Sequence, residues 1–179
     1  MANVAVFCSS SDKISPSFFD EIATLGRGLA EGGHSIVYGG ARVGLMGRVA
    51  DSCLAAGGEV FGVIPDYLNQ PGITHEGLTD LQIVDTLLDR KRIMIEKSDV
   101  VLVFPGGIGT LDELTEALAL EQLQQLNPEV VILNYLDFYQ PLLDYFVELQ
   151  ERGMISQDLE SLYKVFDSSN SFLTWLNER

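Results

Sequence analysis

VVLVFPGGIGTLDE, residues Val100 to Glu113, is the stretch that decides the fold. Apolar residues of strand type run into Pro105, Gly106 and Gly107, and after Ile108 come Gly109, Thr110, Leu111, Asp112 and Glu113. The pattern predicts a buried strand, a tight glycine turn and a helix beginning near Thr110. Such a junction collects unpaired backbone N–H groups and the positive end of a helix dipole at one spot, which favours an anion. The expected ligand is therefore a small molecule bearing a phosphate.

The same alternation continues outward in both directions. Asn3 to Cys8, Ile36 to Tyr38, Val60 to Ile64, Leu81 to Val84, Val130 to Leu133 and Lys164 to Phe166 read as further strands. Between them lie helical patterns. One starts at Ser15-Pro16, an N-cap followed by proline at the first helical position, and stops at Gly32-Gly33. Others run to about Ala56, over Leu87 to Lys97, over Thr110 to about Gln125, over Phe138 to Arg152, and through Trp175, while Asp66 to Asp80 reads as a polar loop. Strands alternating with helices predict an α/β fold: one Rossmann-like, doubly wound parallel sheet with helices on both faces, a single domain spanning residues 1–179. Ligands of such sheets bind beyond the carboxyl ends of the strands. There the motif-bearing loops converge: Ser9 to Ser11, Gly39 to Gly47, Asp85 to Arg90 and Pro105 to Glu113.

Composition excludes several classes. The 179 residues suffice for a sizeable core, and 46% are hydrophobic, so the chain is globular. No apolar run is long enough to span a membrane, and the N-terminus does not read as a signal peptide. Cys8 and Cys53 are far apart in sequence and are expected as free thiols in a reducing cytoplasm. A net charge of −15 disfavours nucleic acid and anionic membranes as partners. Against only eleven Lys and Arg in all, the run Arg90-Lys91-Arg92 stands out as a concentrated positive spot for an anionic substrate, or as a solvated helix face.

In the glycine turn, Gly106, Gly107 and Gly109 are read as permitting positive φ and close approach of a ligand, with Thr110 adding a hydroxyl. The turn lacks the Gly-Lys-Ser/Thr ending of a P-loop, and no glycine fingerprint follows Cys8, so a dinucleotide is disfavoured. Glu113 has two readings. It closes a Thr110-to-Glu113 capping box, or it is a functional carboxylate facing a cationic centre on the substrate. Gly39-Gly40 to Gly47 reads as a second backbone cradle with Met46 as an apolar wall for a flat base, or as a plain turn with Met46 in the core, the commoner place for a methionine; Ser10 in the first loop, with Gly40 and Met46 in the second, joins the candidate binding set. His34 and His75 have no ligand-spaced partners, and neither a metal nor a cofactor is expected.

Pro105-Gly-Gly-Ile-Gly-Thr-Leu-Asp-Glu113 matches the PGGxGTxxE motif of the LOG (Lonely guy) family, and Arg90-Lys91 matches that family's Arg-Lys pair. Val37-Tyr-Gly-Gly40 with Gly44-Leu-Met-Gly47, Phe61-Gly-Val-Ile-Pro65 and Gly153-Met-Ile-Ser156 are similar to it as well. The resemblance implies a cytoplasmic homodimer that hydrolyses the N-glycosidic bond of nucleoside 5′-monophosphates, AMP or N6-prenylated AMP (cytokinin riboside monophosphate), giving free base and ribose 5-phosphate. It implies Arg90 and Glu113 as the catalytic pair, and Lys91, Gly106, Gly107, Gly109 and Thr110 as holders of phosphate and ribose. The label "possible lysine decarboxylase" once attached to the family finds no cofactor-binding lysine context here.

Three positions depart from the family pattern. Leu87-Leu88 replace Met-His, Ala119-Leu120 replace Thr-Trp, and Ser9-Ser10-Ser11 replace Gly-Ser-Ser. The departures put the base pocket in question, and the first two also motivate an alternative: a non-catalytic binder of a nucleotide or phosphorylated cofactor, similar to molybdenum-cofactor carrier proteins. A structural dimer module is a third reading. Dimerisation finds loose support in the apolar content of Leu114 to Leu126.

Overall fold

A computed structural model describes residues 1–125 and 128–179. Among the described residues seven strands, β1 (Asn3–Phe7), β2 (Ser35–Tyr38), β3 (Val60–Pro65), β4 (Asp80–Val84), β5 (Val100–Val103), β6 (Glu129–Leu133) and β7 (Lys164–Phe166), form one sheet. All neighbours pair in parallel, in the order β4-β3-β2-β1-β5-β6-β7. The helices are α1 (Pro16–Glu31), α2 (Gly44–Ala55), α3 (Leu87–Glu96), α4 (Ile108–Gln122), α5 (Gln140–Glu151), α6 (Leu159–Leu162) and α7 (Ser169–Asn177).

The chain builds outward from β1 to β4, and α3 then carries it back to β5 on the other side of β1. β1 and β5 therefore meet with Val4 beside Val100 and Phe7 beside Val103, and their onward connections leave in opposite directions. That divergence opens a crevice at their carboxyl ends.

The central strands are apolar throughout because both faces are covered. Val4 and Val6 of β1, and Cys8 just after it, turn toward α1, α2 and α7, against Leu25, Leu29, Leu45, Val49 and Phe172. Ala5 and Phe7 turn the other way, against Met94 of α3, Leu114 and Ala117 of α4, and Phe146 of α5. The expected doubly wound sheet with helices on both faces is the observed one.

Differences from the sequence reading are local. Ser15 occupies the position before α1, but its side chain caps no helical N–H and instead lies 3.0 Å from the Ser17 hydroxyl. The loop after β3 contains a short 3₁₀ turn, Asp66–Leu68, and α5 begins at Gln140 after another, Tyr135–Asp137. The short α6 has no counterpart in the sequence reading. α4 begins at Ile108, two residues before Thr110, because Gly107 already takes the extended N-cap conformation.

The stretch cited for dimerisation is spent largely inside the subunit. Leu114 and Ala117 belong to the core, and Leu118 and Leu120 pack against it. Leu123 is exposed, and Leu126 lies outside the described residues.

Candidate active site

The early start of α4 removes the capping-box reading of Glu113. Thr110 is the third helical residue and Glu113 the sixth, so no capping box joins them, and no side chain caps this helix. Its first chain-to-chain bond is donated by the Leu111 N–H to the Gly107 carbonyl at 3.0 Å. The amides ahead of Leu111 have no carbonyl one turn back to bond to, and they point out of the N-terminus.

The glycines of the turn work differently from the expectation. None of Gly106, Gly107 and Gly109 has a positive φ. A Cβ on Gly106 would run into the Thr110 side chain, so this glycine lets the turn close over the first turn of α4. A Cβ on Gly107 or Gly109 would meet nothing within 4 Å. Those two positions need no glycine for packing, and their bareness leaves the helix N-terminus accessible to a ligand.

α2 begins nearby and is closed. The carboxylate of Asp12 accepts the Gly44 N–H at 2.9 Å, and the Ser9 carbonyl accepts the Leu45 N–H at 3.0 Å. Gly44 itself, at φ +61°, lies so close to Ser10 that a side chain there would strike the Ser10 backbone. This packing fixes the Ser9–Ser11 loop beside the open end of α4.

Arg90 arrives from α3. Thr86 caps that helix, its Oγ1 accepting the Asp89 N–H at 3.0 Å. One residue later Arg90 points inward, and its Nη2 donates to Glu113 Oε1 at 2.7 Å. Both side chains are largely buried, 16% and 9% exposed. The buried Arg90 Nε has no hydrogen-bond partner among the described residues, so a donor remains for a ligand. Burial pushes the Glu113 carboxyl up to about 7, against the opposing pull of Arg90. Burial likewise raises the Cys8 thiol, with Glu113 adding to the effect, so Cys8 stays protonated.

These groups share one cavity of about 500 Å³. Arg90, Glu113, Gly107, Gly109, Thr110, Ser10 and Met46 line it, so most of the sequence-derived set comes together. Three members do not line it. Gly106 lies behind the turn. Gly40, at φ +74°, faces Ile64 and Leu81, and its neighbour Gly39 lines the cavity instead. Lys91 reaches out of the α3–α4 junction to Asp112 Oδ2 at 2.8 Å and to Glu116.

Away from the polar end the walls are apolar: Val43, Met46, Ile64, Leu68, Ile73 and Met94. Leu68 and Ile73 come from the long loop after β3. That loop is pinned by Arg42 N–H to the Ile73 carbonyl at 2.8 Å, His75 N–H to the Gly40 carbonyl at 3.0 Å, and His75 Nε2 to Asp51 Oδ1 at 3.0 Å. Sequence reasoning placed Gly39 in a binding loop without singling it out and missed Cys8, Leu68, Ile73 and Met94, which carry no local signal. The departures Leu87-Leu88 and Ala119-Leu120 lie off the cavity, whereas Ser9, Ser10 and Ser11 line it. No lining residue is a lysine, the group a Schiff-base decarboxylase would need there.

The chain is similar to known proteins along most of its length. Residues 46–176 match the family model described as possible lysine decarboxylase. A cytokinin riboside 5′-monophosphate phosphoribohydrolase of Rhodococcoides fascians is 38% identical over 155 residues, 86% of this chain and 78% of that protein. A probable cytokinin riboside 5′-monophosphate phosphoribohydrolase of Oryza sativa subsp. japonica, LOG4, is 35% identical over 175 residues, 98% of this chain and 76% of that protein. Among solved structures, the molybdenum cofactor carrier protein of Chlamydomonas reinhardtii superposes with a TM-score of 0.72 at 20% identity, over 98% of this chain and 96% of that one, a likeness of fold alone. Sequence, fold and cavity together place this chain in the possible-lysine-decarboxylase family, the LOG family of phosphoribohydrolase relatives.

Proposed function

We propose that the protein hydrolyses the N-glycosidic bond of nucleoside 5′-monophosphates, AMP and its N6-prenylated form, releasing the base and ribose 5-phosphate. The observation that carries the reading is the buried Arg90–Glu113 pair in the same cavity as the uncapped N-terminus of α4. The named activity of the relatives supports it.

The spacing suits the substrate. Glu113 lies five residues into α4 from Ile108, about 7.5 Å of helix rise. A phosphate on the amides of Gly109 and Thr110, steadied by Ser10 and the Thr110 hydroxyl, puts the ribose alongside Glu113. The base then extends toward Met46, Ile73 and Leu68. As the C1′–N bond breaks, its electron pair leaves with the base and positive charge builds on the ribose. Ionised Glu113 stabilises that charge and orients the water whose oxygen bonds to C1′. Arg90 holds Glu113 in place and offers Nε to a substrate oxygen. The departing base takes up one proton, and the attacking water gives one up. Among the described lining side chains burial keeps the Cys8 thiol protonated and pushes the Glu113 carboxyl up to about 7, so ionised Glu113 takes the water's proton, and the base receives its proton from there or from solvent.

The test is chromatographic. Pure protein is incubated with AMP and with isopentenyl-AMP, beside Glu113→Gln. Base and ribose 5-phosphate released by the parent protein and not by the variant supports the reading. Tight binding without release in either case would replace it with a carrier role.

All described strands share one sheet, which supports one domain. Exposed Leu87 and Leu88 at the start of α3, and exposed Ile108 at the start of α4, support a homodimer, and a sedimentation mass of one chain would end that proposal. Among the described residues no helix is long and apolar enough to cross a membrane. The two buried free cysteines and the net charge of −15 support a cytoplasmic protein that binds no nucleic acid.

A further inference from the structure

The family resemblance puts Lys91 on the substrate phosphate, but its side chain has other work. Nζ lies 2.8 Å from Asp112 Oδ2 and is also paired with Glu116. The two acids are four residues apart on α4, so they stack on one helix face and receive one ammonium between them. The Lys91 side chain is 11% exposed. Burial acts to lower its pKa, and the hydrogen bonds and charges of the two acids outweigh that and raise it. An ammonium engaged in this way has no free charge to offer an anion in the cavity.

Arg90 and Lys91 are consecutive on α3, and Asp112 and Glu113 are consecutive on α4. Two ion pairs therefore span the same pair of helices side by side. One faces the cavity, Arg90–Glu113, and the other lies outside it, Lys91 with Asp112 and Glu116. Among the described residues, every side-chain hydrogen bond between α3 and α4 belongs to one of these two groups. The inner pair must present one carboxylate oxygen in a fixed place, and a shift of α3 along α4 would move it. Arg90 alone cannot prevent that shift, because a single bond between two long side chains tolerates sliding. A second, laterally displaced attachment sets the register.

We propose that Lys91 is a positioning residue, which fixes α3 against α4 through Asp112 and Glu116 and thereby aligns the Arg90–Glu113 pair, and that it does not bind the substrate phosphate. The kinetic readout rests on the phosphoribohydrolase reading; the binding readout does not.

The experiment compares the full-length protein with Lys91→Met, Lys91→Arg and the double variant Asp112→Asn/Glu116→Gln. It measures kcat and KM for AMP, the pH profile, the melting temperature, and the calorimetric affinity for inorganic phosphate. Expected are a fall in kcat of about tenfold or more for Lys91→Met, as misaligned reacting groups give, and a similar fall for the acid double variant. Phosphate affinity stays within about twofold in both, and Lys91→Arg, which can still bridge the acids, keeps most of the activity. The acid limb of the Lys91→Met profile moves to higher pH, since Lys91 helps hold the Glu113 carboxyl down. A purely structural role would lower the melting temperature and leave kcat and the pH profile alone, and that result overturns the proposal. So does a tenfold loss of phosphate affinity in Lys91→Met with the acid double variant unaffected. Should Lys91→Met not fold, the double variant, whose Asp112 side chain is 63% exposed, decides alone. If the parent protein binds phosphate but hydrolyses no nucleoside monophosphate, the reaction reading falls, and the phosphate affinities of the variants still decide whether Lys91 contacts the anion.

Discussion

Arg90 lays its guanidinium across the bare backbone of Gly39: a Cβ built on Gly39 would stand 3.2 Å from Arg90 Nη1 and 2.5 Å from Met46 Cε. The first residue of the β2–α2 loop thus limits where the Arg90 and Met46 side chains can lie. Gly39→Ala is expected to push the flexible end of Met46 aside at little cost and to displace Arg90 by a few tenths of an ångström. Catalysis depends on that placement more than folding does, so kcat should fall about tenfold. The melting temperature should change little. Steady-state kinetics beside a thermal melt checks this, and a variant with full kcat shows that Arg90 tolerates the shift.

Glu113 is expected to set the pH dependence of the proposed reaction. Its carboxyl is pushed up to about 7 by burial, so it ionises as pH rises through neutrality. If the ionised form is the working one, kcat/KM climbs up to about tenfold per pH unit below 7 and levels above it. Removing the opposing cation with Arg90→Met leaves the burial and loses the pull of the guanidinium. The limb should then move to higher pH, with a lower plateau. A parent profile that instead falls through pH 7 would give Glu113 the role of proton donor to the base.

The parts of this site legible in sequence are those built from consecutive residues. VVLVFPGGIGTLDE announces a strand, a turn and a helix because apolar run, glycines and helical spacing follow each other directly, and α4 starts only two residues from the expected place. That small error mattered: it made Glu113 look like a capping residue, since Gly107's extended backbone, which ends the turn early, leaves no sequence mark. Arg90 and Glu113 meet across 23 positions, and only their match to a family pattern paired them. Lys91 lies off the cavity for a related reason. A basic run has no direction in sequence, and the helix turns each neighbour about 100° from the last, so Arg90 and Lys91 face different partners. Ile73 and Leu68 lie in a loop without periodicity, where only the tertiary pinning by His75 and Arg42 brings them to the cavity.

Three glycines of one turn should respond differently to alanine. At Gly106 the new methyl meets Thr110, so Gly106→Ala should destabilise the fold by about 1–3 kcal/mol, the usual cost of overpacking. At Gly109, inside α4 with nothing within 4 Å and no positive φ, alanine should stabilise the helix by up to about 1 kcal/mol. The same methyl enters the space over the helix N-terminus, so Gly109→Ala should weaken inorganic phosphate and AMP binding severalfold while raising the melting temperature. Gly107→Ala should also weaken binding without unfolding. Calorimetry and melts on the three variants separate packing from ligand access. Equal destabilisation at all three would show that the openness of Gly107 and Gly109 serves the fold.

The apolar end of the cavity should decide which base substituent is accepted. Ile73 and Leu68 stand on the pinned loop opposite Met46, half-buried and free of polar partners, a surface fitted to hydrocarbon. Truncating Ile73 to alanine removes methylenes that an N6-isopentenyl group would touch and that bare AMP would not. The ratio of kcat/KM for isopentenyl-AMP to that for AMP should therefore fall about tenfold, in line with the 1–3 kcal/mol that a small hydrocarbon contact contributes to discrimination. Because Ile73 holds the loop through its backbone carbonyl, which alanine retains, the wall loses volume without losing its attachment to Arg42. Equal losses for both substrates would mean that Ile73 supports the purine itself, and an unchanged ratio would place the substituent outside this cavity.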